Sequence, residues 1–260
     1  MALMHVDFFS NVLGMCTQMD VILPQQTTGQ IGMEGTASST FPTLYLLHGM
    51  SDDHTIWQRR TSIERYVSDL GIAVVMPTTH LAWYTDTQYG YRYFDYISRE
   101  LPEICRSFFK GMSDRREDTF VAGLSMGGYG AMKLGLRASE TFSAAASLSG
   151  ALDASAFATR KNVKTAAFWE GIFGDLDQIP GSDNDLFALA ETLKASGKPL
   201  PKLFMWCGTE DSLYPQNTKM RDHLNALGYD LTYTETPGDH QWKYWDREIQ
   251  NVLNWLPLKK

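Results

Sequence analysis

The first 24 residues alternate between apolar and polar positions. Val6 and Phe8 flank Asp7, and Met15, Thr17, Met19, Val21 and Leu23 recur at every second position, with Asn11 to Gly14 between the two runs. A period of two broken by a short polar turn predicts an antiparallel hairpin. Residues 25–40, QQTTGQIGMEGTASST, are polar and glycine-rich and read as a surface loop. From Thr43 the pattern changes to short apolar runs separated by helical segments. TLYLLHG, IAVVMP, TFVAGLS, FSAAASLSG, KLFMWCG and LTYTETPG are the predicted strands. Runs of this kind are what a parallel sheet buried on both faces requires.

Helices are expected over Ile56 to Leu70, Tyr91 to Phe109, Met126 to Leu136 and Gln216 to Leu227, with a last one closing the chain. Tyr93, Ile97, Leu101, Ile104 and Phe108 recur at helical spacing, as do Trp242, Trp245, Ile249, Val252 and Leu256, so both stripes are expected in the core. Pro102 should kink or restart the first of these helices, and Gly228 should stop the one before it. No repeat or linker divides the chain, which predicts one α/β domain over residues 1–260. The sheet is expected to be mostly parallel, with an N-terminal antiparallel hairpin and helices on both faces. The connection from Gly150 to Pro201 is longer than the roughly 20 residues that one crossover helix needs. It holds two helical pieces, Val163 to Phe173 and Asp185 to Ala195. An insertion over about residues 150–200, leaving the carboxyl edge of the sheet, is expected to cap a pocket there.

The chemistry is concentrated at Gly123-Leu124-Ser125-Met126-Gly127, at the end of a predicted strand and the start of a helix. Glycines flanking the serine allow a sharp strand-to-helix turn that exposes the hydroxyl above the sheet, and the helix N-terminus supplies N–H groups where an oxyanion forms. A phosphate cradle would need a lysine or a glycine spacing that is missing here. A serine nucleophile requires a base and an acid, in the chain order Ser, acid, His. Of the six histidines only His223 and His240 follow Ser125. His223 falls inside a helical pattern, whereas His240 follows the last strand and its Pro237-Gly238 turn, so His240 is the expected base. Asp211, after the strand KLFMWCG, is the expected acid, with Glu210 its neighbouring rival and Asp175 and Asp177 more distant ones. A second oxyanion donor is expected at Met50 in LLHGM, paired with Met126. Ser51-Asp52-Asp53-His54 has no second ligand cluster to complete a metal shell, so no metal is expected. Trp83, Tyr84, Phe168 and Trp169 are candidate walls of the substrate pocket.

Composition narrows the partners. A net charge of −7, with basic clusters that are only pairs such as Arg59–Arg60, Arg115–Arg116 and Lys259–Lys260, disfavours nucleic acid. No apolar run is long enough to span a membrane, and the N-terminus lacks a charged leader, so a cytoplasmic protein is expected. Cys16, Cys105 and Cys207 are odd in number and widely spaced and read as buried thiols. The open sheet edge beside the hairpin is a place for self-association into a homo-oligomer.

Taken together, LYLLHGMSDDHTIW, GLSMGGYGAMKLGL, CGTEDSLY and GDHQWKYW resemble the α/β-hydrolases, and among them the esterase D-like branch that includes bacterial tributyrin and acetyl esterases. The resemblance implies a cofactor-free serine carboxylesterase acting on short-chain acyl esters. It carries the triad onto Ser125, Asp211 and His240, and the oxyanion donors onto Met50 and Met126. S-formylglutathione hydrolases of that branch typically hold histidines where Leu124 and Tyr129 stand here, which favours a general short-chain esterase. Feruloyl esterases and mycolyl-type acyltransferases share the architecture, and a catalytically inactive binding module would lack a triad member.

Overall fold

The computed structural model describes residues 1–159 and 164–258. β1 (Ala2–Ser10) and β2 (Met15–Leu23) form the expected hairpin, paired from Ala2 with Leu23 to Ser10 with Met15. β3 (Thr43–Leu47), β4 (Ala73–Pro77), β5 (Thr119–Leu124), β6 (Ala144–Leu148), β7 (Lys202–Gly208) and β8 (Leu231–Thr236) follow. The sheet order is β1-β2-β4-β3-β5-β6-β7-β8. β2 joins β4 antiparallel, and every pairing from β4 through β8 is parallel. The α/β class, the mostly parallel sheet and the N-terminal hairpin are therefore as the residue pattern predicts.

Helices cover both faces: α1 (Ile56–Arg60), α2 (Ile63–Tyr66), α3 (Tyr93–Asp95), α4 (Leu101–Phe108), α5 (Met126–Arg137), α6 (Ala166–Phe173), α7 (Leu186–Ser196), α8 (Tyr214–Ala226) and α9 (Trp242–Trp255). Alternate residues of each strand feed opposite cores. Tyr45 and Leu47 join Met132, Leu189 and Met220 on the α5, α7 and α8 side. Leu44 and Leu46 join Trp57, Ile249 and Val252 on the α1 and α9 side.

Several local expectations are corrected. The helix expected from Ile56 to Leu70 is broken at Thr61, whose hydroxyl donates to the Trp57 carbonyl and accepts from the Ile63 N–H. A side chain that offers the backbone such bonds competes with the helix ladder. Ahead of Pro102 the chain widens into a π-helical turn over Tyr96–Glu100, where proline's missing N–H interrupts the ladder. Phe108 lies 53% exposed rather than in the core, and Cys16 is exposed rather than buried. Gly228 does stop α8, with φ +69°. In the long connection Asp185 caps α7 through the Phe187 and Ala188 N–H groups. α6 is strapped to the loop after β4 by Gln88 N–H to Ile172 O and Tyr89 N–H to Gly171 O. Val163 and the Lys259–Lys260 pair lie outside the described residues.

Two buried polar groups fix local segments of the fold. The Glu100 carboxylate accepts the Ser10 hydroxyl at 2.5 Å and the Asn11 and Val12 N–H groups at 2.8 and 3.1 Å, clamping the hairpin turn onto the π-helical turn ahead of Pro102. His48 ends β3. Its Nδ1–H donates to Gly49 O at 2.8 Å and its Nε2 accepts the Thr79 N–H at 3.0 Å, while its own carbonyl accepts the Tyr84 hydroxyl at 2.8 Å. These partners define a neutral ring with one tautomer. Burial lowers its pKa from 6.5 to about 4, against a smaller opposing effect of the Gly49 bond.

Glu100→Ala is expected to cost at least about 2 kcal/mol, since hydrogen bonds to a charged group contribute about 1.5–3 kcal/mol; urea unfolding measures it. For His48 the unfolded chain takes a proton near 6.5 while the folded chain refuses it until about 4. Stability from this group is thus complete above 6.5 and declines as pH falls toward 4. Denaturation midpoints measured over that interval should fall less steeply in His48→Gln than in the parent.

Candidate active site

β5 runs straight into α5 at Ser125, which holds φ +53° and ψ −116°, a conformation a serine rarely adopts. The turn is possible because nothing projects from its flanks. A Cβ on Gly123 would lie 2.4 Å from Gly127 O, and one on Gly127 would lie 2.6 Å from both Leu47 O and His48 O. The same close approach brings the loop after β3 against the first turn of α5. The Met50 and Met126 N–H groups sit on these two touching segments and donate to no acceptor among the described residues.

Three carboxyl edges of the sheet converge at this turn. His240 Nε2 lies 3.0 Å from Ser125 Oγ, and its Nδ1 lies 2.7 Å from Asp211 Oδ2. Asp211 comes from the loop after β7 and is buried, whereas the His240 side chain, from the loop after β8, is 34% exposed. The other Asp211 oxygen accepts the Leu213 N–H at 2.8 Å. Burial pushes the Asp211 carboxyl upward, yet the hydrogen bond and charge of His240, the Leu213 N–H and the Ser149 hydroxyl together hold it below the usual carboxylate value. The carboxylate is therefore ionised beside an imidazole it can orient.

The rivals are placed elsewhere. Glu210 points to solvent and accepts the Thr209 hydroxyl and the Gly238 N–H. His223 lies on α8 against the Phe187 carbonyl. Asp175 caps a short 3-10 turn, and Asp53 accepts from Thr55 beside the Met50 loop.

Two supports lay outside the reach of sequence reasoning. Ser149, just past β6 and itself at φ +48°, accepts the Trp245 indole N–H at 3.2 Å, and its hydroxyl is the weakest of the groups that lower the Asp211 pKa. The Trp245 ring stands edge-on to His240 at 4.8 Å. Trp245 was legible as a core position, but nothing in its spacing tied it to the histidine.

The four aromatic candidates divide. Trp83 and Trp169 are buried edge to face at 5.3 Å, with Tyr129 and Phe173 completing the cluster. Phe168 is half-buried against Trp169 at 5.0 Å. Tyr84 does not line open space: it is wholly buried, with its hydroxyl on His48 O and its ring against Gly130. It serves as a prop under the loop that carries Met50. Beside that loop a hollow of about 330 Å³ is lined by Met50, Ser51, Asp52, His80, Leu81 and Lys164. A larger one of about 620 Å³, lined by residues such as Thr36, Arg115 and Leu258, touches none of the site residues.

Residues 10–256 match the model of the Esterase family ("Putative esterase"). An acetyl esterase of Caldicellulosiruptor saccharolyticus is 33% identical over 98% of both chains. Among solved structures, the substrate-bound fluorophosphonate-binding serine hydrolase F of Staphylococcus aureus superposes with a TM-score of 0.88 at 33% identity, covering 100% of this chain and 99% of its own. An S-formylglutathione hydrolase of Staphylococcus aureus gives 0.85 at 34% identity over 98% of each. An N-terminal hairpin, a parallel sheet turning at a serine elbow and whole-chain similarity to ester-cleaving enzymes meet in one molecule: the chain belongs to the Esterase family and is a carboxylic ester hydrolase of the α/β-hydrolase fold.

Proposed function

We propose that the chain is a serine carboxylesterase that cleaves short-chain acyl esters, acetyl to butyryl, through an acyl-enzyme on Ser125. The observation that carries this reading is the continuous line from the Ser125 hydroxyl through His240 to the buried Asp211, at 3.0 and 2.7 Å. His240 takes the Ser125 proton as the hydroxyl attacks the ester carbonyl. The Met50 and Met126 N–H groups receive the oxyanion, and His240 then protonates the departing alcohol. The same histidine activates water to release the acid. Asp211 stays ionised and holds the imidazole in the tautomer that leaves Nε2 free to accept.

Trp83 and Trp169, with Phe168 at their margin, form the wall proposed for the acyl side. The insertion over residues 150–200 caps that side of a single domain covering residues 1–260. A bulky wall of rigid rings favours small acyl groups, and the similarity to an acetyl esterase supports the acetyl end of that range. We place the enzyme in the cytoplasm, without cofactor, metal or nucleic-acid partner, and with the free edge of β1 available to a second copy; among the described residues no helix is long and apolar enough to cross a membrane. A second reading, thioester cleavage, draws on the staphylococcal S-formylglutathione hydrolase. Leu124 and Tyr129 stand against it.

Hydrolysis of 4-nitrophenyl acetate, butyrate and octanoate by the parent and by Ser125→Ala tests the reading. Rates should fall toward octanoate, and Ser125→Ala should lose about 10⁴–10⁶ in kcat with folding intact. Equal rates in the two proteins would sink the nucleophile assignment, and a strong preference for S-formylglutathione over all three esters would bring the thioester reading forward. Ser149→Ala should lower kcat by roughly tenfold, the effect of about 1.4 kcal/mol, with KM little changed, as measured on the acetate ester.

A further inference from the structure

Lys133 lies on α5, two turns beyond Ser125, and is wholly buried. Its Nζ donates to Thr85 Oγ1 at 2.9 Å and to Asn184 Oδ1 at 2.6 Å. Each acceptor belongs to a different segment. Thr85 passes the bond on, donating its hydroxyl to the Trp83 carbonyl at 3.0 Å, and Trp83 and Tyr84 are both held at positive φ, +55° and +52°. Asn184 sits in the turn before α7, and its carbonyl accepts the Tyr129 hydroxyl at 2.9 Å. The amine therefore ties the elbow helix to the strained Trp83 loop on one side and to the long insertion on the other. The Trp83, Tyr129, Trp169 and Phe173 rings pack between those tied segments.

We infer that Lys133 is a positioning residue that sets the acyl-length preference, by pinning the Trp83 loop and the Asn184 turn to the helix behind Ser125 so that the aromatic wall cannot retreat. The inference rests on the reading that this wall bounds the acyl side of an esterase site. A lysine buried only for packing would be better replaced by an apolar side chain, because desolvating an amine is costly. Here both bonds go to neutral groups, and no carboxylate among the described residues forms an ion pair with it.

The charge on this tie is also adjustable. The groups acting on the amine are Arg137 on α5, Asp86 after β4 and Asp183 before α7, with the Phe94 and Tyr129 rings at 5.5 and 5.7 Å. Burial first, and Arg137 second, lower its pKa to about 7 against the two aspartates. Below that pH the bonds to Thr85 and Asn184 are charge-assisted and the ring contacts are cation–π; above it, two N–H donors remain without that reinforcement. The wall is tightest on the acid side.

The test uses the full chain and the ratio of kcat/KM for 4-nitrophenyl octanoate to that for the acetate, from pH 6 to 9. Taking the ratio cancels any pH dependence that both esters share. In the parent the ratio should rise across pH 7. In Lys133→Met it should be about tenfold higher than in the parent at pH 6 and flat with pH. Thr85→Val, a gentler change that cuts one of the two bonds, should raise it about threefold, which keeps the inference testable should the methionine variant fail to fold. Unchanged ratios in folded variants, or a lower Tm with the parent's ratio and pH profile, would overturn the inference. If the parent turned over neither ester faster than Ser125→Ala, the esterase reading itself would fall and take this one with it.

Discussion

The contact on which the molecule depends is the one between two backbones at the top of β5. Because Gly123 and Gly127 carry no side chains, the chain can leave the strand, expose Ser125 and enter α5 in a single turn, while the loop after β3 presses on the helix from the other side. A methyl group at either glycine would collide with main-chain atoms that have nowhere to go. The sheet order follows the same need. β3 and β6 flank β5, and β7 and β8 lie beyond, so the loops carrying Met50, Ser149, Asp211 and His240 all open over one edge. Parallel strands make this convergence automatic, since every carboxyl end points the same way.

Around that edge the fold uses buried side-chain hydrogen bonds. His48 is buried deeply enough to refuse a proton, and its ring then serves as a two-ended connector between Gly49 and Thr79. Ser149 accepts the Trp245 indole N–H and its hydroxyl helps stabilise the Asp211 carboxylate, while the indole ring stands edge-on to His240, so the last helix packs beside both residues. Such links cost little as long as every member is satisfied, and they hold loops that hydrophobic packing alone would leave loose.

The readable parts of this structure are those written in periodicity or in local chemistry. The hairpin turn, the apolar strands and the Gly-x-Ser-x-Gly elbow depend on neighbours in the chain, and each stands where the pattern puts it. That His240 and Asp211 meet Ser125 follows from short strand-end loops and the order of elements. Ser149 and His48 were not legible in this way, since their partners lie 62 and 31 positions away and a serine or histidine at a strand end has many bland uses. Tyr84 misled because an aromatic residue in a loop looks like a pocket wall until its hydroxyl is seen bonded underneath. Phe108 and Cys16 show the converse limit: helical spacing and residue type assign an inward face, but which face the sheet covers is decided by elements far away.

Among the described residues, the non-glycine positions with positive φ are Ser51, His80, Trp83, Tyr84, Ser125 and Ser149. Each costs of order 1–3 kcal/mol, and they gather in the loops at the carboxyl edge of the sheet rather than scattering over the fold. The molecule is thus built in two mechanical grades, a relaxed frame and a stressed rim that the frame holds in shape. For anyone engineering heat tolerance, relaxing the rim would gain stability from the very distortions that shape the site. The frame, with its broken α1–α2 segment and its exposed Phe108, is the place to work.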